Sequence, residues 1–480
     1  MKVNIWFVFM LGCVVPKINI AVKDGYSSSD GKEYEPRSPF NDMYGSHTNQ
    51  GYGVYNEPGT THDLPIILWW TDTIFPHFGG KSDKYVIQCG DVSCYTTKYK
   101  KYAKSKRTRV FMFYGTDIQP EELPLPRRPY HEWALFHEES PLNNYILSHT
   151  PFIELFNHTA TFRSESDYPL TSQNIYYVNY LTERKPVDLV KKNDAKKSMK
   201  LASVLYVQSH CDVPSDRDRY VKELMKYIDV DSYGECLHNK DLPEHLRDPA
   251  ENYEKDEFLN FISQYKFHLS FENAICKDYM TEKLMRPLYV GSVPIYKGSS
   301  SAKEWMPNNH SVIMVDDFSS PEELAAFIKA VDADDTEYEK YLSFKKTGIT
   351  NQFLLKHMKE RQWHVNENGG FDYFRGFECL VCKRIHERLN FEKDQEDEPD
   401  IPLPSPRIAK YSHLGCPQPY PSIGHPGDIP KNDIWHKSDW ISQYWGDYDR
   451  ARAARNMVLA KEKDSKKFFD YYEKVMQKKV

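Results

Sequence analysis

No G-x-G-x-x-G and no G-x-x-x-x-G-K-S/T occurs in the 480 residues. Their absence argues against a classical NAD enzyme and against a P-loop nucleotide hydrolase. Excess positive charge is missing too. The formal net charge is −6, which does not suit a general nucleic-acid or membrane-surface binder. The apolar run at the start, Ile5–Val15, falls short of the ~20 residues a bilayer-crossing helix needs. Cys379 and Cys382 form a C-x-x-C, but no second C-x-x-C or H-x-x-x-H follows at zinc spacing. No internal repeat is visible. What is present is ample core material: 40% of the residues are hydrophobic, enough for two or three ordinary domains. Aromatics are frequent, with 34 Tyr and 9 Trp. Such rings stack on sugars, although most of them in a chain this size fill cores.

Lys2 precedes the Ile5–Val15 run, and Pro16-Lys17 close it. Residues 1–22 therefore suit a signal peptide or, extended through Val22, a signal-anchor. Either sends the chain into the lumen of the secretory pathway, with a membrane attachment if the segment stays uncleaved. A buried strand at a cytosolic N-terminus is the bland alternative. Two sequons, Asn157-His158-Thr159 and Asn309-His310-Ser311, agree with a lumenal address, although two also arise by chance in this length. Nine cysteines are present; setting aside Cys13 in the leader leaves eight, an even number that suits disulfides in an oxidising compartment. The chain ends Lys478-Lys479-Val480, one position off a dilysine retrieval signal.

Residues 23–62 are rich in Gly, Ser, Tyr, Asn and Pro without apolar periodicity, which is the pattern of a flexible stem. Residues 63–195 then show short apolar runs expected as strands: Pro65–Trp70, Arg109–Tyr114, Trp133–His137 and Ile153–Phe156. The basic stretch Lys185–Lys200 suits a solvated linker. Residues 196–390 alternate strand and helix. Strands are expected at Leu201–Val207, Lys266–Phe271, Ser292–Tyr296 and Ser311–Val315, with helices over Asp216–Ile228 and from Thr281. Ser320-Pro321-Glu322-Glu323 is a capping box that opens another helix. Such alternation implies a parallel sheet covered on both faces. The fold class is α/β, two Rossmann-like domains with a cleft between them. Residues 391–480 form an acidic, Pro-rich and then Trp-containing tail, packed on the outside or partly loose.

Chemistry-bearing residues are densest over Phe271–Leu284, between a strand end and a helix start. Ligands of open α/β sheets bind at such edges, where helix N-termini present free N–H groups. Thr281 is a natural N-cap. Lys283 in the first helical turn is disfavoured by the dipole, which hints at an anion; Glu282 is favoured there in any case. Paired, Lys283 suits a diphosphate and Glu282 two ribose hydroxyls; the bland alternative is an ordinary charged helix start. Asp229-Val-Asp231 and Asp332-Ala-Asp334 have the spacing of a metal-binding Asp pair, but the first suits a surface turn and the second a helix end. Cationic side chains, not a metal, are therefore expected to neutralise a leaving group. Arg217, at a helix start beside a sheet edge, is a candidate, or else a solvated arginine. Glu138 and Glu139 follow the third strand. Neighbours point apart, so at most one faces the cleft, as a general base.

These residues resemble a family. Phe271–Leu284 is similar to the F-E-N-S … Y-V/I-T-E-K-L/F signature of the α-1,3/4-fucosyltransferases. The likeness extends to Val293-Pro294-Ile295, to Ser209–Gly234, to Glu139-Ser140-Pro141, to Phe156–Phe162, to Ser166-Asp167 and to Cys379–Cys382, covering roughly 64–390. The resemblance implies a GT-B fold with the acceptor domain first and the GDP-fucose domain second. It implies Glu139 as general base, Arg217 and Lys283 on the diphosphate, Glu282 on the ribose, Asn273 and Tyr279 in the donor site, and no metal or other cofactor. It also implies that Cys89 and Cys94 pair with Cys379 and Cys382. Phe113–Asp117 stands where glycan-modifying members carry H-H-x-D, and His137–Asn144 replaces a Trp-rich lead. Those departures look like the divergent branch of GDP-fucose protein O-fucosyltransferases, which act on Ser or Thr of folded EMI domains in the endoplasmic reticulum. N-glycan GlcNAc, in the Golgi, is the alternative acceptor. A non-catalytic lumenal binding protein and a cytosolic GT-B enzyme are the competing classes.

Overall fold

The protein was analysed as a computed structural model, which describes residues 54–56, 63–75, 82–247, 255–364, 372–400, 402 and 404–478. The leader 1–22, most of the stem and the last two residues of the chain lie outside the described residues. Within the stem, Val54–Asn56 forms a strand, β1.

Chains of buried β-branched, Leu and aromatic residues make the first sheet. β2 (Ile66–Trp69) is buried at every position. It is joined by β3 (Lys84–Cys89), β4 (Val92–Thr97), β5 (Thr108–Tyr114), β6 (Glu132–His137), β7 (His158–Thr161) and β8 (Tyr168–Pro169). Their order is β1-β3-β4-β2-β5-β6-β7-β8. From β4–β2 onward every pairing is parallel, so the carboxyl ends of β5, β6 and β7 share one edge. The second sheet, order β10-β9-β11-β12-β13, is wholly parallel: β9 (Val204–Val207), β10 (Val230–Tyr233), β11 (Phe267–Phe271), β12 (Val293–Lys297) and β13 (Ile313–Met314). Helices α1 (Leu189–Ser198), α2 (Arg217–Leu224), α3 (Glu282–Val290) and α4 (Pro321–Ala333) belong with it. Both expected N-caps are made: Thr281 Oγ accepts from the Lys283 N–H, and Ser320 Oγ from that of Glu323. Two parallel-rich sheets, each with its own core, form the α/β architecture read from the sequence.

Several expectations need correction. Ile153–Phe156 is not a strand; Thr150–Ile153 is a helical turn with Pro151 at its start. A proline within the first turn of a helix lacks only an N–H that would be unpaired there anyway, so the turn wins over the apolar run. The Lys185–Lys200 stretch is not a linker, because α1 occupies most of it. Lys192 is 2% exposed and donates to the carbonyls of Tyr265 (3.0 Å) and Gly291 (2.7 Å) and to Ser292 Oγ (3.2 Å). Burial, helped by Lys266 and Lys345, lowers its pKa to about 7. α1 therefore belongs to the second unit, not to 63–195. Asn157 is also buried: Oδ1 accepts from Arg127 Nη2 (2.6 Å) and the Trp133 N–H (2.8 Å), and Nδ2 donates to Arg407 O (2.7 Å). This sequon is a structural knot, whereas Asn309 is exposed.

The 196–390 boundary also fails to describe the fold. α5 (Tyr373–Asp397) leaves the second unit and packs on the first sheet. Glu378 on α5 has no exposure and accepts from Trp69 Nε1 (2.6 Å) and Thr96 Oγ1 (2.8 Å). Disulfides Cys89–Cys379 and Cys94–Cys382 fasten the same face, as the family resemblance implied, and Cys211–Cys236 and Cys276–Cys416 pair the rest. Within 391–480, α6 (Trp440–Leu459) and α7 (Phe468–Gln477) pack together, and Ala451, Ala454, Met457 and Phe468 complete the first core. Among the described residues no helix is long and apolar enough to cross a membrane.

Lys192→Ala removes the donor from two buried carbonyls. The expected cost is roughly 2–4 kcal/mol, read as a lowered melting temperature. Lys191→Ala, at an exposed neighbour, should change stability by less than about 0.5 kcal/mol.

Candidate active site

The second half of the site is a loop closed on itself. β11 ends at Phe271, and Glu272 follows with no exposure. Its Oε1 accepts from the Thr281 N–H at 2.8 Å, and its Oε2 from Thr281 Oγ at 2.7 Å. One carboxylate thus ties the start of the loop to its end. Gly298 makes room for it: a Cβ there would sit 2.7 Å from Glu272 Cγ. Burial raises the Glu272 carboxyl, Glu282 adds to this, and Lys283 and the Thr281 hydrogen bonds oppose it. Glu272 stands in the F-E-N part of the family signature, but nothing in the local sequence showed its clasp on Thr281, nine residues away.

Thr281, so fixed, caps α3 and sets Glu282 and Lys283 in the first turn. Lys283 Nζ lies 3.0 Å from Glu282 Oε1 and 3.4 Å from Thr281 Oγ1. Burial opposes the ionised form of Glu282, but Lys283 and Arg286 outweigh it and hold the carboxyl low, at about 2. The outcome is an ionised carboxylate and an ammonium side by side where the helix N-terminus is positive.

Arg217 is not a solvated arginine. It is 1% exposed; Nη1 donates to Phe271 O (3.0 Å) and Nη2 to His210 O (2.7 Å). Its guanidinium sits behind the end of β11, and its Nε has no hydrogen-bond partner among the described residues. Ser215, two residues earlier, donates from Oγ to Glu272 O (2.6 Å) and from N to Asn273 O (3.1 Å). The start of α2 and the 272–281 loop are therefore one knitted unit.

The first half of the site enters from β6. Ser140 Oγ donates to Asn273 Oδ1 at 2.9 Å across the two halves. Asn174 Nδ2 donates to Met280 O at 3.2 Å, and Ser164 N and Oγ donate to Asp278 Oδ2 at 3.0 and 2.7 Å. Asp278 takes a left-handed backbone (φ 65°) that turns the loop toward these partners. Tyr279 is buried, its ring edge-on to Phe162 at 5.3 Å between centroids.

Glu139, next to Ser140, stands on the same side of the contact between the two halves. It is half-buried, its carboxyl bonded by the Ser140 backbone and the Asn143 side chain, and it feels both Glu282 and Lys283. Burial raises its pKa and Glu282 raises it further, while Lys283 pulls it down. Glu138 turns the other way, its Oε1 3.5 Å from the Tyr114 hydroxyl; burial and the neighbouring Glu139 raise it. Of the adjacent pair, Glu139 is the one that meets the donor-side residues.

One member of each Asp pair is engaged elsewhere. Asp231 accepts from Lys240 and Tyr265, each at 2.8 Å, and Asp332 from Lys196 and Ser203, each at 2.6 Å. The arrangement at the crevice is thus a raised carboxylate facing an ammonium, an ionised carboxylate and a helix N-terminus. It can take a proton from one group while stabilising negative charge on another.

Comparison with known proteins places the chain among relatives. Residues 195–397 match the family described as "Glycosyltransferase family 10 (fucosyltransferase) C-term", and residues 62–172 match "Fucosyltransferase, N-terminal". Proteins named GDP-fucose protein O-fucosyltransferase 3 are similar over most of the chain. That of Gallus gallus is 48% identical over 386 residues, 79% of this chain and 78% of its own length. That of Bos taurus is 42% identical over 443 residues, 92% and 88%. That of Homo sapiens is 45% identical over 396 residues, 82% and 79%. Among solved structures, an alpha1,3-fucosyltransferase with GDP-fucose aligns at 16% identity with a TM-score of 0.34, covering 69% of this chain and 93% of that one.

Thr281→Val removes the hydroxyl that both caps α3 and bonds Glu272. A loss of about 1–2 kcal/mol is expected in thermal unfolding, with Thr281→Ser close to wild type. An unchanged melting temperature for the valine variant would contradict the clasp.

Proposed function

The chain belongs to glycosyltransferase family 10 and is a GDP-fucose-dependent fucosyltransferase, and from that premise we propose that it transfers fucose with inversion to a Ser or Thr hydroxyl of a folded protein domain, of the EMI type. The protein acceptor is supported by the names of the relatives. It is supported also by the departures from the glycan-modifying pattern at Phe113–Asp117 and His137–Asn144, all on the acceptor side.

The observation that carries the site assignment is the Ser140–Asn273 hydrogen bond, 2.9 Å, which brings the Glu139 loop against the 272–281 loop, so that the charges of Glu282 and Lys283 act on the Glu139 carboxyl. Glu139 acts as the base. It takes the proton of the acceptor hydroxyl as that oxygen attacks C1 of fucose from the face opposite GDP. The C1–O bond to the β-phosphate breaks, its electrons leave with GDP, and the β-linked donor becomes an α-fucoside through an oxocarbenium-like state. Lys283 and the N-terminus of α3 stabilise the leaving diphosphate. Arg217 adds positive charge from behind the loop while holding the Phe271 carbonyl. Glu282 accepts from the ribose hydroxyls, and Asn273 and Tyr279 line the donor site. On this reading cationic side chains neutralise the leaving group and no metal takes part. That one aspartate of each pair, Asp231 and Asp332, is held by lysine, serine or tyrosine partners supports it.

We place the protein in the secretory lumen, in the endoplasmic reticulum or Golgi. The pairing of all eight cysteines from Cys89 to Cys416 supports this, since the cytosol keeps thiols reduced.

Glu139→Gln is expected to lower kcat by ~10²–10⁴ while GDP affinity by calorimetry stays within about twofold. Undiminished turnover would remove Glu139 from the mechanism. Lys283→Ala should weaken GDP-fucose binding. Because the Glu139 pKa is raised, the acid limb of the kcat/KM profile should lie above the ordinary carboxylate range, activity being lost as pH falls and the base protonates. Glu282→Gln takes away a like charge and should move that limb to lower pH. Offering a folded EMI domain and a GlcNAc-bearing glycan with GDP-fucose decides the acceptor: fucose on the glycan alone would refute the protein assignment.

A further inference from the structure

We propose that segment 409–433 is a working part of the donor site, clamping both loops that hold GDP-fucose, so that Cys416, Ser422 and Asp433 are positioning residues for donor binding. The proposal rests on the donor-site assignment above and extends it to a stretch outside both matched family regions, which end at residue 397.

The path of this segment is the argument. It first runs alongside β7 in the first unit, from the residues before that strand to those just past it. Ala409 N donates to Phe156 O (2.9 Å), Thr161 Oγ1 donates to His413 O, and Arg163 Nη1 donates to Gly415 O (2.8 Å). The next residue, Cys416, is bonded to Cys276. Cys276 lies in the middle of the loop that Glu272 and Thr281 close, between Asn273 and Tyr279. The segment then reaches the start of α2. Ser422 donates to Asp216 Oδ2 from N (3.0 Å) and from Oγ (3.1 Å). Arg219 Nε donates to the same Asp216 oxygen (2.7 Å), while its Nη1 donates to Asp433 Oδ2 at 3.2 Å and its Nη2 to Asp433 Oδ1.

Asp216 shows that the clamp has displaced ordinary helix chemistry. It is the N-cap residue of α2, 5% exposed and in a left-handed backbone conformation (φ 52°), yet its side chain caps nothing in its own helix. An aspartate at that position normally satisfies a free N–H of the first turn. Here the carboxylate is given to Ser422 and Arg219, and the next residue is Arg217. Beyond the segment, α6 holds it down: the Tyr444 hydroxyl donates to Cys416 O (2.9 Å), and His149 Nε2 lies 2.8 Å from Tyr444 O. One segment therefore spans from the acceptor-side unit to each loop of the donor side. Since a shift of about 1 Å in a reacting pair can cost ~10²-fold, the placement of those loops opposite Glu139 is worth fixing this firmly.

The test is steady-state kinetics on the full chain with two double variants: Ser422→Ala/Asp433→Asn, which keeps every disulfide, and Cys276→Ala/Cys416→Ala. Melting temperatures and GDP calorimetry run alongside, and Lys283→Ala serves as reference. KM for GDP-fucose is expected to rise about tenfold in each double variant, with GDP affinity falling to match, while kcat and acceptor KM stay within about twofold. A merely structural role would lower the melting temperature and leave KM unmoved. That result, or a fall in kcat at unchanged KM, overturns the proposal. If Lys283→Ala raises KM but the double variants do not, the clamp alone is wrong. If Lys283→Ala also leaves KM unchanged, the donor-site assignment itself falls and the clamp with it.

Discussion

The two hydrogen bonds between Glu272 and Thr281 are the constraint on which the site depends. A carboxylate with no exposure is costly to hold unless its oxygens are bonded, and here both are, by the N–H and the hydroxyl of one residue. The span of the 272–281 loop is thereby fixed at both ends. Everything carried on it, from Asn273 and Asp278 to the first turn of α3, has its place decided by that closure. Lys283 lies close enough to offset part of the charge, so the groups that would meet a ligand also balance the clasp. Disturbing the clasp and disturbing the ligand site are then one event, not two.

A second level of order comes from contacts that cross between the halves. Ser140 meets Asn273, Ser164 meets Asp278, and α5 returns from the second sheet to be bonded twice to the first. Cross-links with sequence separations of 290, 288 and 140 close very long loops, which in the chain-entropy account removes the most freedom from the unfolded chain. Such a framework limits how far the acceptor-side carboxylate can drift from the donor-side cation.

Local signals were legible in the sequence, and long-range ones were not. Thr281 as a cap, the Ser320–Glu323 capping box, β5, β6 and the parallel alternation after Leu201 depend on neighbours within a few residues, and they are where they were expected. The crevice residues Glu139, Glu282 and Lys283 were picked out by their places at strand and helix ends and by a family signature. Lys192 and Asn157 were misread because a basic run and a sequon look the same whether they face water or a core; only partners such as Tyr265, 73 residues away, and Arg407, 250 away, decide which. Glu272 was passed over for the same reason, and the pairing of Cys276 with Cys416 had no local mark at all.

Glu138 and Glu139 show how environment separates chemically identical neighbours. Just past the end of β6, they meet different surroundings, Glu138 the Tyr114 hydroxyl and Glu139 the charges of Glu282 and Lys283. Both are raised by burial; at Glu138 the neighbouring Glu139 adds to the rise, while at Glu139 Glu282 adds to it and Lys283 acts against it. A base must be ionised often enough to work and basic enough to take a proton, and those demands conflict. Burial supplies basicity, and the ammonium keeps the ionised form accessible. That ammonium is also placed to answer the charge of a departing diphosphate. In the mechanism we propose, negative charge moves from Glu139 to the leaving group during transfer, and Lys283 faces it at both ends of its path. One side chain can then serve the base before the reaction and the leaving group during it, without moving.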